Sequence, residues 1–175
     1  MAEPIIPVKA KLFIGVISGD ERLVHLAGEK FARRYGRVDL STARIPFTHT
    51  DYYNKLGANL YRVFFSFEKM IRREDIVAIK LHTNALEIAL SGKGERKINI
   101  DPGYLTLSNV FLASCKEYFH RTYLGKGIYL ENEYKYIERS YRFWDWTYPD
   151  YKKKEYLDYF HNLRQIYYSQ IQRYL

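Results

Sequence analysis

An α+β fold is predicted by three features of this 175-residue chain. Short apolar, strand-like runs alternate with two amphipathic helical stretches in the order βαββαβ. Right-handed crossovers make four antiparallel strands, with both helices on one face, the economical solution for that order. A Tyr-rich second half then offers a helix, a hairpin and a long terminal helix. The expectation is a ferredoxin-like βαββαβ antiparallel sheet over residues 1–103. A C-terminal helix–hairpin–helix extension over 104–175 packs on it, completing a single domain.

Each element has a local reason. "KLFIGVI" (11–17) is short and apolar throughout, as a buried strand is. Ser18 and Glu21 form an S-x-x-E capping box, and the helix it opens carries Leu23, Ala27 and Phe31 on one stripe before Gly36 stops it. "VDLSTARIPF" (38–47) reads as extended, with Pro46 marking an edge or strand end. A dozen loop residues follow and include Asp51, a candidate ligand contact. In "LYRVFFSFE" (60–68), Tyr61, Val63, Phe65 and Phe67 share one face, and Arg62, Phe64, Ser66 and Glu68 the other. A helix is expected from about Glu74 to Ser91. "RKINID" (96–101) is the fourth strand, with Asn99 and Asp101 on its polar face. Asp101-Pro102-Gly103 has turn chemistry, because proline presets φ and glycine supplies positive φ.

In the second half, "TLSNVFLASCKE" reads as helical, and a hairpin turns at Gly125-Lys126-Gly127. That turn would set Arg121 opposite Glu131 and His120 opposite Asn132. "RFWDWTYPDY" is an aromatic connector with Trp144 and Trp146 on one face. The tail from about Lys152 repeats Tyr156, Phe160, Leu163, Tyr167 and Tyr174 at helical spacing.

Composition narrows the function classes. Apolar residues make up 47%, enough for a core, and the longest apolar runs fall far short of a membrane span. No signal-peptide pattern opens the sequence, and one cysteine, Cys115, suits a reducing compartment. A cytoplasmic protein is expected. The net charge of +8 favours anionic partners. Of 18 tyrosines, 14 lie from Tyr104 onward, which points to core and interface use in the extension.

The blocks "FTHTDYY", "SFEKMI", "IKLHTNALE", "NIDPGYLTLSNVFLAS", "KEYFHRTYLGKGIYLE" and "WTYPDYKKKEYLDYF" together resemble the signature of a prokaryotic family of unknown function. Its members often carry the automatic label "GTP-binding protein". Cys115 stands where the family pattern has Thr. The label implies guanine nucleotide binding, yet no G-x-x-x-x-G-K-[ST] loop exists here. The turn after the first strand is already occupied by Asp20 and Glu21, which repel phosphate.

The candidate site gathers polar residues expected on the open sheet face and beneath the extension. Asp101, Glu131 and His120 are the candidate acid/base groups. Arg62, Glu68, Asn99, Lys116, Arg121 and Asp51 are the candidate ligand contacts. Asp101, Glu131 and Glu68 would be the carboxylates for a magnesium ion. Lys80, Asn84 and Glu87 lie at i, i+4 and i+7, a polar helix stripe that is either a solvated face or part of a site. The scattered histidines and lone cysteine do not make a zinc site.

The leading expectation is an enzyme-like domain binding a small anionic or nucleotide-type ligand. The rival is an RNA-binding module stacking bases on Phe13 and Phe64, although "RVFFSFEK" lacks the glycines of the third-strand RNA motif. A third reading is a structural subunit whose tail helix is a protein interface. A homodimer is a further arrangement to test.

Overall fold

The computed structural model describes residues 2–48, 56–91 and 95–172. It is an α+β arrangement, and one mainly antiparallel sheet of nine strands runs through both halves of the chain. In chain order the elements are β1 (Lys11–Ser18), α1 (Glu21–Tyr35), β2 (Val38–Ser41), β3 (Ile45–Pro46), β4 (Tyr61–Phe67), α2 (Ile76–Ser91), β5 (Ile98–Leu105), β6 (Asn109–Ser114), β7 (Thr122–Gly125), β8 (Ile128–Ile137), β9 (Ser140–Phe143) and α3 (Lys154–Ile171). The strands run β2-β4-β1-β5-β6-β8-β7, with β3 on β4 and β9 on β8.

Alternation along the central strands feeds two cores. Leu12, Ile14 and Val16 of β1 face α1 and α2, against Val24, Ala27, Phe31, Ile79 and Leu86. Phe13 points the other way. It joins Phe64, Leu105, Val110, Leu112 and Tyr134 beneath Tyr156, Phe160, Leu163 and Tyr167 of α3. Phe13 meets Phe160 edge-on at 4.9 Å. The helical stripe read from the tail is therefore right through Tyr167, and Tyr174 lies outside the described residues.

Several expectations are corrected. The sheet has nine strands, not four. The hairpin does not fold over the open face. It lengthens the sheet through β6 and β8, and α3 covers that face instead. "VFLAS" is strand β6, not helix. Its residues are apolar on both faces, a pattern that periodicity cannot assign, and pairing to β5 and β8 decides it.

Asp101-Pro102-Gly103 is no turn. It lies inside β5, which runs on to Leu105. Gly103 is there for clearance: an added Cβ would collide with the Phe13 ring and the Phe111 carbonyl oxygen. The cap of α1 is Asp20, whose carboxylate accepts from the Arg22 N–H at 2.9 Å. Ser18 instead donates to the Lys97 carbonyl oxygen at 2.8 Å.

Candidate functional site

The sheet forks between β5 and β6. These strands pair only from Gly103↔Leu112 to Leu105↔Val110, whereas β1 follows β5 all the way to Ile98. Residues 98–102 are therefore unpaired on the side away from β1. Pro102 suits that position, since it has no N–H to leave unmatched.

Helix α2 closes the gap with side chains. Lys80 Nζ donates to the Ile100 carbonyl oxygen at 3.1 Å, and Glu87 Oε1 accepts the Ile100 N–H at 2.5 Å. Lysine and glutamate thus take the places a neighbouring strand would fill. The polar stripe Lys80, Asn84, Glu87 is not a solvated face, because all three line the cleft.

The cleft holds about 670 Å³. Its walls are the β5 edge, α2, the end of β6 and the Tyr148–Tyr151 segment, with Arg62 of β4 also lining it. Four basic side chains (Arg62, Lys80, Arg96, Lys116) and four acidic ones (Glu87, Asp101, Glu131, Asp150) line it.

Most are cross-linked into pairs. Asp101 lies 3.3 Å from Lys80 Nζ and accepts from Asn99 Nδ2. Arg96 bonds Glu87 at 2.7 Å and also donates to Asn99 Oδ1. Burial raises the Asp101 carboxyl, but Lys80 and Arg62 outweigh it and hold the group below 3.8. Burial, with Asp101 nearby, pushes Glu87 above 4.5, partly offset by Lys80 and Arg96.

Glu131, 2% exposed, receives His120 Nε2 at 2.9 Å and Arg121 at 3.0 and 3.3 Å. Arg121 continues to the Tyr148 hydroxyl at 2.7 Å and the Lys116 carbonyl oxygen at 2.8 Å. His120 stacks on Trp146 at 5.0 Å, and Trp146 on Trp144 at 5.1 Å. The connector's two tryptophans therefore share a face, and they brace the histidine.

Arg62 is 4% exposed and has four aromatic rings around it. Its guanidinium carbon lies 5.3 Å from the rings of Phe47 and Tyr151, 5.5 Å from Tyr156 and 5.6 Å from Phe64. Asp150 is 3.3 Å from Nη1.

Of the residues singled out from sequence, Arg62, Asn99, Asp101, Lys116 and Glu131 line one cleft. His120 and Arg121 lie outside its lining and hold Glu131. Glu68 does not join them. It pairs with Arg37 near the opposite end of β4 and lines a separate groove with Lys9, Asp39 and Gln170. Asp51 lies outside the described residues. Among those residues, no group of three His, Cys, Asp or Glu is placed to hold a metal ion, and Glu68 stands apart from Asp101 and Glu131.

Sequence reasoning missed Arg96, Tyr148 and Asp150, which also line the cleft. The available signal was "TYPDY", an acid isolated among aromatics with Pro149 preparing a tight turn. The stacking face proposed for RNA is also unavailable, since Phe13 and Phe64 are both 0% exposed beneath α3. The tail helix spends its aromatic stripe on that same core.

Fold and cleft together define an α+β sheet protein with a cleft of mixed apolar and charged lining at a fork in the sheet. The chain belongs to the DUF4416 family, a domain of unknown function, whose family model matches residues 8–167. No curated protein and no solved structure gives a match to it. Among the described residues, no helix is long and apolar enough to cross a membrane.

Proposed function

We propose that the cleft at the β5–β6 fork binds a small anionic or nucleotide-type ligand in an enzyme-like domain. One observation carries this. The sheet forgoes backbone pairing over residues 98–102 and puts there instead two ion pairs, each with one buried partner, Lys80 and Glu87. Buried ion pairs are often no more stabilising than apolar packing of the same shape, so stability alone does not explain them. A volume of about 670 Å³ is within the range of small-molecule sites.

In this reading Arg62 and Lys80 hold the anionic group, and Asn99 orients the ligand. Asp101 and Glu131 are the carboxylates facing it, and His120 and Arg121 fix the Glu131 rotamer. The first half is read as the ferredoxin-like unit. Support comes from the order β2-β4-β1-β5, antiparallel throughout, with α1 and α2 in the two crossovers.

A thermal-shift screen with carboxylic acids, sugar phosphates and nucleotides, each with and without Mg²⁺, tests the proposal. A ligand at a hundredfold excess over its Kd adds about 2.7 kcal/mol, a shift of several degrees. Absence of any shift across the panel would count decisively against it.

A further inference from the structure

We infer that the ligand is a monoanion with a carboxylate-like head, anchored in the plane of the Arg62 guanidinium; this rests on the cleft being a ligand site. Two independent observations lead there.

The first is an unmatched donor set. Arg62 Nε and Nη1 are buried and make no hydrogen bond among the described residues. Four aromatic rings surround the guanidinium, and Asp150 provides an ion-pair contact without a hydrogen bond. Lys80, Glu87, Asp101 and Glu131, by contrast, each make two or more hydrogen bonds within the protein. The buried arginine has a counter-charge but no hydrogen-bond acceptor for these donors among the described residues. Nε and Nη1 lie on different edges of the guanidinium, each shared with Nη2, and Asp150 stands at Nη1. Two oxygens set side by side on one planar head match the Nε/Nη2 edge.

The second is charge balance. The lining carries four basic and four acidic side chains, and Arg121, just outside it, adds a fifth cation bound to Glu131. That surplus of one positive charge matches a single negative one. A nucleoside triphosphate would bring several, against carboxylates already present.

The experiment follows the Arg62 Nε–H resonance by ¹⁵N NMR in the full chain, at constant ionic strength, with acetate, inorganic phosphate or GTP as probe. Acetate should move that resonance saturably. Asp150→Asn removes the competing carboxylate and should lower the acetate Kd roughly tenfold, equivalent to about 1.4 kcal/mol. Arg62→Lys should raise it by at least that factor. If Arg62→Lys does not fold, the wild-type resonance and Asp150→Asn still decide.

An unmoved Nε–H overturns the inference, as does metal-free GTP binding more tightly than acetate. So does phosphate outcompeting acetate at about pH 8, where phosphate is doubly charged.

Cys115, the single cysteine, is exposed and lines the cleft, so alkylating it with N-ethylmaleimide obstructs the site. If alkylation abolishes probe binding while Arg62 stays silent, the cleft is the site and only the anchor is wrong. If probe binding survives alkylation, the cleft reading itself fails.

Discussion

Replacing Lys80 with methionine tests how the fork is held open. Lys80 is 5% exposed and makes two contacts, to the Ile100 carbonyl oxygen and to Asp101. Breaking a fully buried pair costs about 3–5 kcal/mol, but the Asp101 side chain is a quarter exposed and keeps Asn99, which reduces this contribution to about 1–2 kcal/mol. The unmatched Ile100 carbonyl adds about 1 kcal/mol. Lys80→Met should therefore lose about 2–3 kcal/mol in urea unfolding near neutral pH.

The pH dependence gives a second, independent reading. Asp101 is depressed below its ordinary value in the folded protein, so the native state binds fewer protons than the unfolded chain. Its stabilisation is present above the unfolded pKa and disappears as pH falls through the folded one. In Lys80→Met the folded pKa moves up, so the gap between wild type and variant should narrow as the solution is acidified through the carboxylate range. A loss under about 0.5 kcal/mol, or a gap independent of pH, would refute the assignment of Lys80 as the closing group.

Two further outcomes are expected. Gly103→Ala forces a methyl into the Phe13 ring and the Phe111 carbonyl inside a packed sheet. It should cost about 1–3 kcal/mol in chemical denaturation, whereas a glycine serving only a flexible turn would lose far less. Glu133 is 0% exposed, and burial, reinforced by Glu131, raises its carboxyl well above 4.5. Its protonated form is favoured by the fold, so its contribution is intact at low pH and lost as pH rises past the unfolded value. Glu133→Gln should then gain stability relative to wild type at alkaline pH and little at acidic pH. An equal effect at both would show that the buried carboxyl does not titrate as described.

Local chemistry was readable wherever the cause was local. The turn at Gly125-Lys126-Gly127 was legible because consecutive positive φ values are what Gly-x-Gly permits, and all three residues adopt them. The alternation in "YRVFFSF" placed Arg62 and Phe64 on one face correctly. It could not show that α3 would bury them, because that covering helix lies some ninety residues away in sequence. "DPG" misled for a similar reason. Its turn propensity is real, but pairing to β1 overrides it, and the glycine is needed for the close approach of Phe13.

The sequence by itself determined the alternation of strands and two helices in the first half (though its second strand is split in two), the hairpin, the apolar stripe of α3 and several of the polar residues that line the cleft. These follow from period, capping and turn angles, which act over a few residues. Only the tertiary structure decided that "VFLAS" is a strand, that β5 and β6 part company at Gly103, and that Asp150 comes to Arg62. Those outcomes depend on which edge finds a partner and which charge finds its counterpart, and contacts between distant segments set them.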